Sequence, residues 1–247
     1  MAAPRATLPG TERIDLFLAR PLSVGAPEAF SARALPRLSA RERAEVARFR
    51  FEVHRHEHLV ATALRRAVLA EVLGVAPESL ELACGPHGKP ELEPRLQPAG
   101  APVYFNVTHA AALVVLAVHC RAVGVDTEAL SRGPEIVGIA STVFTPREVG
   151  ELRALSGPAQ DRRAVALWTL KEAYLKARGV GLSVDPQLVE LAFEGPSPRL
   201  ILAPEAGDDA ALWSLELLDV DAHLVAVCFP SAPPRPRIVL HDWALPW

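Results

Sequence analysis

Leu113-Val-Val-Leu-Ala-Val118 and Leu224-Val-Ala-Val-Cys-Phe229 are the two stretches on which the fold turns. Each is a short apolar run rich in β-branched residues, the length of a buried strand. Each also closes a segment with the same order of signals. Before the first, residues 14–18 have strand character, and Ser39-Ala-Arg-Glu42 carries a capping box, with Ser39 as N-cap and Glu42 at N3. That box opens a helix to about Phe49, and a second helix is expected over residues 55–73, stopped by Gly74. Residues 103–107, 113–119 and 123–127 then read as three short strands joined by tight turns, a β-meander. Before the second run, Thr145-Pro146-Arg-Glu148 repeats the helix start, with proline at N1. A longer helix capped by Asp161 ends at Gly179, and strands follow at 200–202, 213–218 and 223–229.

The expected fold class is therefore α+β, with two similar subdomains in one chain. Each is a small, mainly antiparallel sheet packed with helices. The subdomains are placed at 1–122 and 123–230, and 231–247 forms a proline-rich, extended carboxy-terminal tail.

With 247 residues, 50% of them hydrophobic, the chain has ample apolar surface for a core. Its best apolar stretch, 110–118, is far shorter than a membrane span, so no membrane partner is expected. The amino-terminal residues include Pro4 and Pro9 and lack the apolar core of a signal peptide. Cys84, Cys120 and Cys228 are odd in number and widely spaced, which suits buried thiols in a reducing cytoplasm. The net charge of −3 conceals a basic stretch, nine Arg against four Glu between Arg33 and Arg66. Such a stretch is either a face for an anionic partner or a solvated helix. Only three of the 26 basic residues are lysines: Lys89, Lys171 and Lys176. A chain that uses Arg for general charge has a reason to place a compact ammonium where it does, and phosphate is one such reason.

In Val123-Gly-Val-Asp126-Thr-Glu128 the two carboxylates are two residues apart and share a strand face. They repel unless a cation intervenes, and a few hard oxygen ligands suit Mg²⁺. The alternative is a solvent-facing strand edge. In Trp168-Thr-Leu-Lys171-Glu172-Ala-Tyr-Leu-Lys176, Leu167, Leu170, Tyr174 and Ala177 form a core face. Trp168, Lys171, Glu172, Leu175 and Lys176 form a neighbouring stripe, readable as a metal-and-phosphate surface or as a plain Glu172–Lys176 surface pair. Phe105-Asn-Val-Thr108-His109 ends a strand, with His109 placed in the turn, and Gly88-Lys89-Pro90 is a turn.

In this order and spacing, these motifs resemble the larger, Sfp-type 4′-phosphopantetheinyl transferases, from about residue 14 to 229. The resemblance implies an active site at the interface of two subdomains. It implies transfer of the phosphopantetheine arm of coenzyme A to a serine of apo acyl or peptidyl carrier domains, with Mg²⁺ as cofactor and adenosine 3′,5′-bisphosphate released. By resemblance Asp126, Glu128 and Glu172 ligate the metal, and Glu172 is the base for the carrier serine. Lys89 and Lys176 meet phosphates, Thr108 and His109 grip the nucleotide, and Lys171 joins them. The family often offers a basic residue four positions before Phe49, where this chain has Glu45. Arg41 and Arg48, one turn either side, stand as substitutes. Thr127 replaces a usual aliphatic residue and, being β-branched, suits the strand.

A non-catalytic carrier-binding homologue is the alternative, disfavoured because a pseudoenzyme gains nothing from three repelling carboxylates. A Mg²⁺-dependent nuclease would more often show a second acidic cluster, so no nucleic-acid partner is expected. The Trp-x-x-Lys-Glu-Ala helix resembles that of family members serving polyketide or non-ribosomal peptide carriers, and the internal duplication points to a monomer.

Overall fold

A computed structural model describes residues 8–193 and 197–247; Pro4, part of the amino-terminal stretch read above, lies outside them. In chain order the elements are β1 (Arg13–Ala19), α1 (Pro27–Ala34), α2 (Ala40–Ala47), α3 (Glu52–Leu73), β2 (Leu82–Cys84), β3 (Pro90–Leu92), β4 (Tyr104–Ala110) and β5 (Leu113–His119). These are followed by β6 (Gly124–Ala129), α4 (Gly133–Gly138), α5 (Ala140–Val143), α6 (Pro146–Arg153) and α7 (Gly157–Arg178). The last strands are β7 (Val189–Ala192), β8 (Arg199–Leu202), β9 (Trp213–Val220), β10 (His223–Pro230) and β11 (Arg237–Asp242). Two compact units result. The first takes the described part of Met1–Ala83 with Pro90–Cys120 and Pro236–Trp247; the second takes Cys84–Lys89 and Arg121–Arg235.

In the first unit the sheet order is β11-β1-β5-β4. β4 and β5 form a hairpin closed by Ala111 and Ala112, both in the left-handed region (φ 37° and 73°) that a two-residue turn demands. β1 runs antiparallel to β5, and β11 lies parallel to β1 on its other side. Residues 237–242, within the segment read above as an extended tail, form a strand of this sheet. Phe17, Ala19, Val114, Leu116 and Val118 share one core with Leu59, Leu64 and Val68 of α3.

In the second unit the sheet order is β6-β10-β9. The expected meander is broken at residues 120–123: β6 pairs with β10 and not with β5. None of those four linking residues adopts a left-handed conformation, so no tight hairpin forms there. β9 and β10 make the hairpin instead, turning at Asp221 (φ 52°) and Ala222. Leu224, Ala226 and Cys228 share a core with Leu167, Leu170 and Tyr174 of α7.

The two units repeat a strand, a short capped helix, a 22-residue helix and a hairpin. Both capping boxes form, Ser39 with Glu42 and Thr145 with Glu148, and both long helices end on a left-handed glycine, Gly74 and Gly179. α7 begins after Ser156, earlier than the Asp161 cap expected, with proline in its first turn. Counted from the two-residue turns, Leu113 corresponds to His223 rather than to Leu224.

Candidate active site

The second unit gathers the carboxylates. Gly124, Asp126 and Glu128 alternate with Val125 and Thr127 along β6 and so share its α7-facing side. Gly124 is what permits the approach: a Cβ there would lie 2.0 Å from the Ala173 carbonyl oxygen and 2.3 Å from the Ala177 nitrogen. α7 therefore rests directly on the strand, and the same turn brings Lys176 Nζ to 2.5 Å from Asp126 Oδ1. Burial, reinforced by the Asp126 charge, pushes the half-buried Glu172 above the ordinary carboxylate value against the pull of Lys176. Burial likewise raises Glu128, with Arg132 opposing it and Asp126 adding to it.

The repulsion between neighbouring carboxylates is met here by two resident cations. Lys176 sits on Asp126, and Arg132 Nη1 donates to Glu128 Oε1 at 2.6 Å. Among the described residues no three His, Cys, Asp or Glu side chains are drawn together as a metal-enclosing group. Asp126 nonetheless acts electrostatically on both Glu128 and Glu172, so the three carboxylates are neighbours. Their chemistry still suits a hard divalent cation. Glu128 is 8% exposed, and its Oε2 is buried with no hydrogen-bond partner, an oxygen that a cation would satisfy.

Lys171 is turned away from this surface. Its ammonium, 3% exposed, donates to Glu148 Oε2 at 2.7 Å, to the Pro186 carbonyl at 3.0 Å and to the Val143 carbonyl at 3.2 Å. Three protons meet three internal acceptors, so Lys171 is a buried strut between α6 and α7 rather than a ligand contact. Burial holds it below the ordinary lysine value despite Glu148. Lys89, beside the left-handed Gly88 (φ 82°), reaches the Lys176 carbonyl at 2.7 Å and the Val123 carbonyl at 3.3 Å. It places a cation at the negative end of α7.

In the first unit His109 lies on β4, opposite Val114, and not in the turn. Thr108 is buried while His109 is exposed, because neighbouring strand residues point to opposite faces. The exposed ring of His109 meets His58 of α3 edge-on at 6.2 Å, and Phe49 stands 4.7 Å from His58. Burial, His109 and Arg65 hold His58 below the ordinary imidazole value. Arg41 pairs with Glu45 at 2.9 Å, and Arg48 is exposed at the end of α2. Within the basic stretch only Arg65 and Arg66 turn inward, both binding Glu42, while Arg33, Arg43 and Arg55 stay exposed and donate to backbone carbonyls.

Residues 122–228 match the family profile described as the 4′-phosphopantetheinyl transferase superfamily, and residues 27–121 match the one described as 4′-phosphopantetheinyl transferase, N-terminal. The chain is 33% identical over 190 residues to the 4′-phosphopantetheinyl transferase HetI of Nostoc sp., covering 76% of each protein. This chain belongs to the 4′-phosphopantetheinyl transferase superfamily. A phosphopantetheinyl transferase of Thraustochytrium sp. is 34% identical over 216 residues, 81% of this chain and 73% of that one. The 4′-phosphopantetheinyl transferase Sfp of Bacillus subtilis is 27% identical over 216 residues, 86% and 89% respectively. Among these transferases the present chain is of the Sfp type. Sequence reasoning missed two of its polar residues, Arg132 and His58. Arg132 follows Glu128 by four positions across a strand end, where helical spacing rules do not apply. His58 lies in the alternating stretch His54-Arg-His56-Glu-His58, which matches no motif by itself.

Proposed function

We propose that this phosphopantetheinyl transferase moves the 4′-phosphopantetheine group of coenzyme A to a serine of an apo acyl or peptidyl carrier domain, releasing adenosine 3′,5′-bisphosphate. The observation that supports it most is the shared face of β6, which sets Asp126 and Glu128 against the α7 turn bearing Glu172 and Lys176. Asp126, Glu128 and Glu172 would hold Mg²⁺. When bound, that ion supplies charge neutralisation at the pyrophosphate of coenzyme A. Glu172 takes the proton of the carrier serine, which is a poor nucleophile until deprotonated. Lys176 and Lys89 contribute positive charge for the phosphates, while Thr108, His109, Arg41 and Arg48 bind the nucleotide. Lys171, consumed by Glu148, is left out.

On this reading the enzyme works in the cytoplasm as a monomer and serves polyketide or non-ribosomal peptide carriers. No helix among the described residues is long and apolar enough to cross a membrane. A panel of apo carrier domains incubated with coenzyme A and Mg²⁺, read by mass spectrometry, tests the activity. A serine-linked phosphopantetheine adduct is expected, absent after chelation and with Asp126→Ala. Failure on every carrier by the folded protein counts against the reading.

A further inference from the structure

Glu128 is held from one side only. Arg132, in the 3₁₀ turn that follows β6, donates Nη1 to Glu128 Oε1 at 2.6 Å. The rest of its guanidinium is fixed by Glu135 on α4, Nη2 to Oε1 at 2.8 Å and Nε to Oε2 at 3.2 Å. This is a chain of three charged groups: Glu135 braces Arg132, and Arg132 fixes Glu128. A guanidinium anchored through two of its edges cannot follow the carboxylate around, so it imposes one orientation on it. The orientation leaves Glu128 Oε2 buried and unpartnered. A solvated surface pair has no such consequence, because water satisfies whatever oxygen the arginine leaves.

We propose that Arg132 is a positioning residue for the divalent cation: it pins Glu128 by one oxygen so that the other stays bare for the metal. The inference rests on the carboxylate reading above and adds a residue to it. It also makes a counter-intuitive statement about sign. If Arg132 acted only through its charge, removing it would make the site more negative and tighten cation binding. If it acts by holding Glu128, removing it loosens binding, since an unpinned carboxylate must be ordered again when the metal arrives.

The test is calorimetric titration of Mn²⁺ into the full chain with saturating coenzyme A, a readout that needs no turnover. Arg132→Ala is expected to weaken Mn²⁺ by roughly tenfold or more, the usual scale for a lost partner of a metal-binding carboxylate. Arg132→Lys, which retains the charge but cannot fork between two carboxylates, should also bind more weakly than the parent. Glu135→Ala removes only the brace, lies far out on the surface, and should give a smaller loss in the same direction. Circular dichroism on each variant separates a loosened site from an unfolded chain, and Glu135→Ala carries the test alone if Arg132→Ala fails to fold. Equal or tighter Mn²⁺ binding in Arg132→Ala, or parental binding in Glu135→Ala, overturns the positioning role. Absence of Mn²⁺ binding in the parent protein overturns the metal reading itself, and this inference with it.

Discussion

The long helix of each unit carries a buried cation eight residues before its closing glycine, and each cation meets the glutamate of a capping box. In the first unit Arg66 bonds Glu42 Oε2 through Nε at 2.9 Å and Nη2 at 2.5 Å, and the Leu80 carbonyl at 3.0 Å. In the second, Lys171 meets Glu148 Oε2 at 2.7 Å. The scaffold is the same, but the next residue differs: Ala67 follows Arg66, whereas Glu172 follows Lys171. Along the matching strands, counted from the turns, Phe17 and Ala19 stand where the second unit has Asp126 and Glu128. One copy fills this face with apolar core and the other with charge. The comparison separates what the fold requires, the capped glutamate and its cation, from what the chemistry requires, the carboxylates beside them.

Glu172→Ala should break the comparison most visibly. It gives α7 the residue α3 already has in a packed environment, so the fold is expected to survive while transfer falls by about 10²–10⁴, the range of a lost general base. Carrier modification and circular dichroism on one preparation read both halves. A collapse of stability would show that Glu172 belongs to the scaffold after all. Lys171→Ala should behave in the opposite way. Removing one partner of a buried ion pair costs about 3–5 kcal/mol, so its urea midpoint should fall steeply, with Arg66→Ala as the equal control in the other unit. A raised Michaelis constant for coenzyme A at unchanged stability would return Lys171 to the ligand surface.

The smallest expected effect is a pH slope. Burial alone would raise Glu42, but the Ser39 amide and the charges of Arg66 and Arg65 outweigh it and hold it below its ordinary 4.5. The folded state therefore binds fewer protons than the unfolded chain as acid is added. The stability it contributes is complete above pH 4.5 and is lost as the pH falls through the folded value. Glu42→Gln should flatten the decline of the urea midpoint below that pH; an unchanged slope would mean that another carboxylate carries it.

What the sequence made legible was local. Ser39 with Glu42, Thr145 with Glu148, Gly74 and Gly179 announce helix ends because a cap is decided within a few residues. The shared face of Asp126 and Glu128 was legible for the same reason, since strand alternation needs no partner. The direction of Lys171 was not, because the helical stripe places it beside Lys176 and only α6, arriving with Glu148, draws it inward. The meander failed similarly: residues 120–123 look like any short link until the absence of a left-handed turn sends β6 to another sheet. Arg132 needed the structure too, because Glu128 and Glu135 hold it from different elements.

The parallel pairing of β1 with β11 joins residues 13–18 to residues 237–242. During synthesis the first of these leaves the ribosome long before the second exists. Throughout that interval one edge of β1 presents unsatisfied amides and carbonyls, the kind of edge on which chains aggregate. The second unit has no such wait, since every strand of its main sheet lies between Gly124 and Pro230. The nascent protein thus matures out of order. The unit begun first is finished last.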